Sequence, residues 1–270
     1  MFTIEADGVY HPTIIFQDVV AGDLEGVHFA MVEQRGVEPL RFQTGMTHQQ
    51  KVDAFERSGR DCTLEYLKTK TKQARVDDIV AVIEAVSAEP WAQQILLAGH
   101  SEGTHVVTGV VRQGTPAGIA AAGLFASAGP TPFWGGYVSS GAGQREVFQR
   151  GFERMRMLQS ATDDFMYEGL PARRWRTFWL DTTPLDDIRD STVPLFIAAG
   201  TRDGTILAPD LFVMEAIRQQ PNRTVRYVVV DGGDHAFETP DRRSHIRELF
   251  DDFLAWALDE TRTTGTAVVK

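Results

Sequence analysis

A serine flanked by glycines stands where an apolar run gives way to a helical pattern. Residues 95–98 are small or apolar, and the motif Gly-His-Ser-Glu-Gly at 99–103 follows them directly. Four valines between positions 106 and 111 then recur at helical spacing, so the context is strand, tight turn and helix. Such a turn lifts the serine hydroxyl clear of the sheet, and the two glycines avoid collisions with neighbouring backbone. The pattern predicts that Ser101 is a nucleophile.

A serine hydroxyl needs a general base, and the base needs a carboxylate to orient it. His235 lies in a loop between the last predicted strand and the last predicted helix. Asp203 follows an earlier strand and precedes a turn glycine. We predict His235 as the base and Asp203 as the acid, with Asp231 as the alternative acid.

Acyl transfer also needs donors for the negative charge that builds on the substrate carbonyl. We predict the backbone N–H of Glu102 as one donor of this oxyanion hole. The second is expected after an early strand at residues 13–16, at Gln17 or Asp18. The sequence has no His-Glu-x-x-His motif, no Cys/His cluster and no Gly-x-Gly-x-x-Gly after a strand, so we expect no metal and no cofactor.

The elements that must position these residues indicate an α/β fold with a mostly parallel, doubly wound sheet flanked by helices. Apolar strands are predicted at 95–98, 120–126, 194–199 and 225–230, with shorter β-rich runs at 13–16 and 27–32. Amphipathic helices alternate with them, including one with apolar positions between 76 and 83 and a last one between 246 and 257. Because ligands bind at the carboxyl ends of parallel strands, we expect Ser101, Asp203 and His235 at one edge of the sheet.

Residues 131–191 interrupt this alternation and predict a cap inserted over the site. The core would then comprise residues 1–130 and 192–270, and the cap would contain a helix around 147–158. Candidates for the substrate pocket are the histidine beside the nucleophile and four cap aromatics: His100, Phe133, Trp134, Trp175 and Trp179. Most cap aromatics are expected to pack the insertion onto the sheet. The cap arginines are expected on a solvated face, and the alternative is that some of them bind a carboxylate or phosphate of the substrate.

Bulk composition narrows the class of protein. The net charge of −10 argues against nucleic acid as a partner, since no basic excess could neutralise phosphates. The single cysteine, Cys62, excludes an intramolecular disulfide, and no basic and apolar leader or long apolar run is visible. We therefore expect a cytoplasmic protein that does not enter a membrane. The sequence predicts no particular oligomeric state.

These motifs resemble those of the α/β-hydrolase superfamily. Gly-His-Ser-Glu-Gly at 99–103, Arg-Asp-Gly at 202–204 and Gly-Asp-His at 233–235 match its three catalytic blocks in order, and Glu-Gln-Arg-Gly at 33–36 is similar to its Asp-x-Arg-Gly turn. The resemblance covers roughly residues 13–258. It implies Ser101 as nucleophile, Asp203 as acid and His235 as base, without a cofactor. After the strand that corresponds to residues 13–16, the superfamily usually has His-Gly or a glycine-rich run, whereas this chain has Gln17 and Asp18.

The leading hypothesis is an esterase-type serine hydrolase that cleaves a carboxylic ester or thioester through an acyl-serine intermediate. The expected partner is a small-molecule acyl substrate. A peptidase or amide hydrolase of the same fold is the alternative within enzymes. A non-catalytic protein that binds a small molecule in a triad-like pocket is the alternative outside them.

Overall fold

A computed structural model of the protein describes residues 26–32, 34–35, 64–115, 117–126, 129, 144–167, 169–204 and 206–265. Within these residues the helices are α1 (Leu64–Thr69), α2 (Lys72–Ser87), α3 (Gly103–Gln113), α4 (Gln144–Ser160), α5 (Ala172–Trp179), α6 (Pro184–Ile188), α7 (Leu207–Gln219) and α8 (Ile246–Gly265). The strands are β1 (Leu96–His100), β2 (Ala121–Phe125), β3 (Met166–Tyr167), β4 (Leu170–Pro171), β5 (Leu195–Gly200) and β6 (Val225–Val230). The early strand at 13–16 and Cys62 lie outside the described residues.

Four of these strands form a parallel sheet in the order β1-β2-β5-β6. Leu97 pairs with Ala122, and Gly123 pairs with Phe196 in the next strand. β1, β2 and β5 are buried along their whole length, as expected of parallel strands covered on both faces. The predicted parallel sheet is confirmed, and its four strands lie where the apolar runs indicated.

The early run at 27–32 was predicted as a strand, and this was wrong. The structure assigns these residues no strand. Val27 and Phe29 pack against the core cluster on one face of the sheet, whereas Ala30 and Val32 pack against the cluster on the other. The apolar side chains of residues 27–32 therefore pack on both faces of the sheet, although these residues do not form the hydrogen-bonded ladder that defines a strand.

Helices cover both faces of the sheet. On one face, α2 and α3 bury Ile79 and Val107 in a cluster that also contains Phe212 of α7. On the other face, α8 contributes Phe250, which stacks on Phe125 of β2, and Phe253, whose ring makes a tilted contact with Phe196 of β5. The doubly wound α/β fold expected from the alternation of strands and helices is therefore present.

The described part of the predicted cap consists of α4, the β3–β4 hairpin, α5 and α6. Leu158, Ala172 and Trp175 form a small cluster of their own within this segment. Phe178 at the end of α5 and Ile188 of α6, however, belong to the main core beside α3. The end of the segment is thus built into the core, and the cap boundaries at 131 and 191 stay a prediction.

Candidate active site

Ser101 lies directly after β1, in a backbone conformation that side chains rarely adopt. Its φ is 53°, in the left-handed region. A Cβ at Gly99 would lie 2.4 Å from the carbonyl oxygen of Gly103, so the turn closes only because residue 99 is glycine. The Ser101 amide donates to Phe125 O at 2.9 Å, and the Thr104 hydroxyl donates to Ser101 O at 2.7 Å. These contacts hold the turn as a rigid strand–turn–helix elbow.

Asp203 and His235 are brought to this elbow by the loops after β5 and β6. The two loops approach closely, since a Cβ at Gly200 would lie 2.3 Å from the carbonyl oxygen of Gly233. His235 Nδ1 lies 2.8 Å from Asp203 Oδ2, and His235 Nε2 lies 2.9 Å from Ser101 Oγ. The three predicted residues therefore form one hydrogen-bonded chain at the carboxyl edge of the sheet.

Burial differs sharply along this chain of side chains. The Asp203 side chain is 5% exposed, whereas that of His235 is 50% exposed. A buried carboxylate that accepts from Nδ1–H holds the imidazole in the tautomer that leaves Nε2 free to accept the serine proton. Asp231, the alternative acid, instead accepts a hydrogen bond from the Thr201 hydroxyl at 3.2 Å. The geometry therefore favours Asp203 over Asp231 as the partner of the imidazole.

His100 packs behind His235. It is 3% exposed, and its ring centroid lies 5.0 Å from that of His235. Its Nε2 lies 2.8 Å from the carbonyl oxygen of His235, a distance at which Nε2–H donates to the loop that carries the imidazole. A pocket role for His100 stays a prediction, and its observed contacts are with the loop of the imidazole.

Trp175 and Trp179, two of the predicted pocket residues, pack together within the cap segment. Their ring centroids are 4.8 Å apart, and the Trp175 indole N–H donates to Tyr167 O at 3.0 Å. These contacts lie within the segment and not on the sheet, where most cap aromatics were expected to pack, and a pocket role for the two side chains stays a prediction. The other predicted pocket and oxyanion-hole residues, Phe133, Trp134, Gln17 and Asp18, lie outside the described residues.

The carboxylate of Glu102 forms an ion pair with Arg174 of α5. Both side chains are almost fully buried, at 3% and 2% exposed. The expectation of a solvated arginine face is therefore wrong for Arg174, and Arg176 also turns inward to donate to Leu158 O and Ala161 O. The glutamate within the elbow motif was the available signal, because a carboxylate at a buried strand end needs a counter-charge.

The described residues contain neither a candidate metal centre nor a candidate membrane-spanning helix. No three His, Cys, Asp or Glu side chains in this part of the chain are grouped so that they could hold a metal ion. None of the helices in the same part is both long and apolar enough to cross a lipid bilayer.

A parallel doubly wound sheet with a serine elbow, followed by an acid loop and a histidine loop, defines the class of α/β hydrolases. A family model described as the alpha/beta hydrolase family matches residues 48–244, and the chain belongs to this family. A comparison of the chain with curated proteins found no match.

Several solved structures resemble the fold at low sequence identity. Est1E from Butyrivibrio proteoclasticus is 16% identical, with 71% of this chain and 72% of that chain covered and a TM-score of 0.50. E-2-(Acetamidomethylene)succinate hydrolase is 15% identical, with 95% and 88% covered and a TM-score of 0.49. The monoacylglycerol lipase of Paleococcus ferrophilus is 13% identical, with 70% and 76% covered and a TM-score of 0.46. Because the identity is only 16%, the similarity to Est1E concerns the fold alone.

Proposed function

We propose that this protein is a serine hydrolase that cleaves a carboxylic ester or thioester of a small-molecule acyl substrate. The observation that carries the proposal is the chain of hydrogen bonds from Ser101 Oγ through His235 to Asp203. Three side chains separated by up to 134 positions meet within hydrogen-bonding distance, and each lies just after a strand of one sheet. A hydroxyl next to a base that is itself oriented by a carboxylate is the general signature of an activated nucleophile.

In the acylation step, Ser101 Oγ attacks the carbonyl carbon while its proton passes to His235 Nε2. The imidazolium that forms still donates its Nδ1–H to Asp203, and the charge of this buried carboxylate stabilises it. The tetrahedral intermediate then collapses, the bond to the alcohol or thiol breaks, and His235 returns the proton to the departing oxygen or sulfur. The products of this step are the free alcohol or thiol and an acyl-serine.

In the deacylation step, water replaces the serine as the nucleophile. His235 takes a proton from the water as its oxygen attacks the acyl carbon, and it then returns that proton to Ser101 Oγ as the acid is released. In both steps the oxyanion requires backbone donors. We assign one of them to the N–H of Glu102, which begins the turn into α3. Gln17 or Asp18 stays the predicted source of the second.

Labelling and turnover test this proposal. Purified wild-type protein is treated with a serine-directed fluorophosphonate and assayed with p-nitrophenyl acetate, an acetyl thioester and an aminoacyl p-nitroanilide. We expect labelling of one serine per chain and turnover of the ester or the thioester. Ser101→Ala should lose the label and lower kcat by about 10⁴-fold or more. Ser87→Ala is the matched control, because the Ser87 hydroxyl only donates to Ile83 O at the end of α2.

Each result is informative about a different alternative. Wild-type protein that is neither labelled nor active on any of these compounds would contradict the proposal and favour a binding protein. Rapid cleavage of the anilide with slow cleavage of both acyl esters would favour an amide hydrolase. Label that remains on the Ser101→Ala variant would show that another residue is the nucleophile.

A further inference from the structure

Two buried ion pairs connect helices α5 and α6 to residues in or next to α3, the helix that follows Ser101. In the first, Arg174 of α5 pairs with Glu102, the residue directly after Ser101. In the second, Lys72 Nζ lies 2.5 Å from Asp187 Oδ2 of α6, and the same carboxylate oxygen accepts from Thr108 Oγ of α3 at 3.0 Å. Both pairs are buried, but only the first lies beside the reacting serine.

Arg174 is held in place by aromatic packing as well as by charge. Its guanidinium carbon lies 4.4 Å from the ring centroid of Trp175 and 5.1 Å from that of Phe178. Phe178 is fully buried in the main core, so the guanidinium is fixed to the body of the protein. Arginine is suited to this position because its planar, weakly hydrated group stacks on rings while it pairs with a carboxylate.

The glutamate creates an electrostatic conflict at the site. Negative charge develops on the substrate oxygen during acyl transfer, and the backbone N–H of residue 102 is one of its assigned donors. The carboxylate of the same residue is 3% exposed, so solvent screens it little. Like charges within about 10 Å at an effective dielectric of ~20 repel enough to change a rate by tenfold or more. A carboxylate here must be neutralised for the oxyanion hole to work.

We propose that Arg174 is a positioning residue for the oxyanion hole, acting as the counter-charge that neutralises Glu102 and holds its side chain away from the developing oxyanion. The proposal rests on the proposed function, because it requires an oxyanion at Ser101. In this proposal Arg174, a residue of the predicted cap, affects the stability of the oxyanion through its charge and need not contact the substrate.

The second ion pair supplies the matched control. Lys72 is as deeply buried as Arg174, and burial lowers the pKa of its ammonium although Asp187 opposes this. Loss of either cation removes a partner from a buried carboxylate, so both variants should lower stability. Asp187 keeps Arg112, whose Nε lies 3.5 Å from its Oδ1, so K72M should lower stability less than R174M does. Asp187 contacts α3 at Thr108, two turns beyond the serine, and its charge is correspondingly farther from the reacting carbonyl.

The experiment compares Arg174→Met, Lys72→Met, Glu102→Gln and the double variant E102Q/R174M. Each is titrated with the fluorophosphonate so that kcat refers to labelled sites, and each is assayed well below its melting temperature. We expect R174M to lower kcat per labelled site about tenfold or more with KM unchanged. We expect K72M to lower the melting temperature with kcat per labelled site unchanged. The double variant should regain most of the kcat lost in R174M, because its side chain at residue 102 no longer carries the repelling charge.

Several outcomes would overturn the proposal. R174M with wild-type kcat per labelled site would show that the ion pair is only structural. Equal losses of kcat in R174M and K72M would point to general loosening of α3. If R174M does not fold, the double variant decides, and a folded double variant with kcat lowered tenfold or more contradicts the charge argument. Wild-type protein that takes up no label overturns the proposed function and this inference together, whereas a labelled wild type beside an unaffected R174M overturns this inference alone.

Discussion

Substitution of Gly99 by alanine tests whether the elbow geometry controls the reactivity of Ser101. A Cβ at this position would lie 2.4 Å from Gly103 O, 2.6 Å from Gly103 C and 2.9 Å from Thr104 N. All three atoms belong to the backbone, so no side chain can rotate away to relieve the overlap. To reach an ordinary contact of about 3.4 Å from the carbonyl oxygen, the two segments must separate by about 1 Å.

A separation of about 1 Å moves Ser101 relative to His235. Because catalysis depends on a near-attack geometry, a displacement of this size is expected to lower kcat by about 10²-fold. Overpacking of a buried turn should also lower the free energy of unfolding by about 2–4 kcal/mol. For a chain of this size that corresponds to a fall in melting temperature of roughly 5–10 °C.

The assays are ester turnover per fluorophosphonate-labelled site and thermal unfolding followed by circular dichroism. Gly151→Ala is the matched control, because Gly151 lies within α4 and a Cβ there would meet nothing within 4 Å. Alanine is the better helix former, so this control should keep kcat and gain about 1 kcal/mol of stability. A Gly99→Ala protein with wild-type turnover and melting temperature would refute the steric argument for this residue.

Two further variants probe other contacts. Asp203→Asn keeps the shape of the acid but presents an amide to His235 Nδ1, which favours the wrong tautomer; kcat should fall by about 10⁴-fold, and unchanged steady-state turnover would contradict this role. Tyr227→Phe removes a hydrogen bond to Asp210 and should lower the free energy of unfolding by about 1 kcal/mol at neutral pH in urea titrations. Burial and Asp210 raise the pKa of Tyr227 above its ordinary value of 10.0, so the unfolded chain loses this proton first and the contribution is lost as pH rises beyond 10. The difference between wild type and Tyr227→Phe should therefore shrink in that range, and a constant difference would show that the tyrosine proton is not involved.

Some features could be predicted because they depend on short-range order along the chain. The strands and the apolar stripe of α2 follow from periodicity, and the observed β1, β2, β5 and β6 lie where the apolar runs indicated. Glycine stands two residues before the serine because the turn leaves no room for a side chain at residue 99. These constraints act over a few residues, so a single sequence carries them.

Other features depended on burial and on contacts between distant segments. The β-rich run at 27–32 indicated a strand, but whether a ladder forms depends on a neighbouring strand that residue type does not specify. Trp175 and Trp179 were named as pocket candidates although most cap aromatics were expected to pack, and their contacts with Tyr167 and with each other favour packing. Residue type alone does not distinguish these outcomes, because both bury an aromatic ring.

The order of serine, acid and histidine along the chain, the wound sheet and the elbow were determined by the sequence itself. The sequence favoured Asp203 over Asp231, and the tertiary structure places Asp203 against the imidazole. The tertiary structure alone decided that His100 packs behind the imidazole and that Arg174 pairs with Glu102 across 72 positions. The physical reason is that steric and periodic constraints are local, whereas the pairing of a buried charge depends on which distant segment the fold brings into the same dry environment.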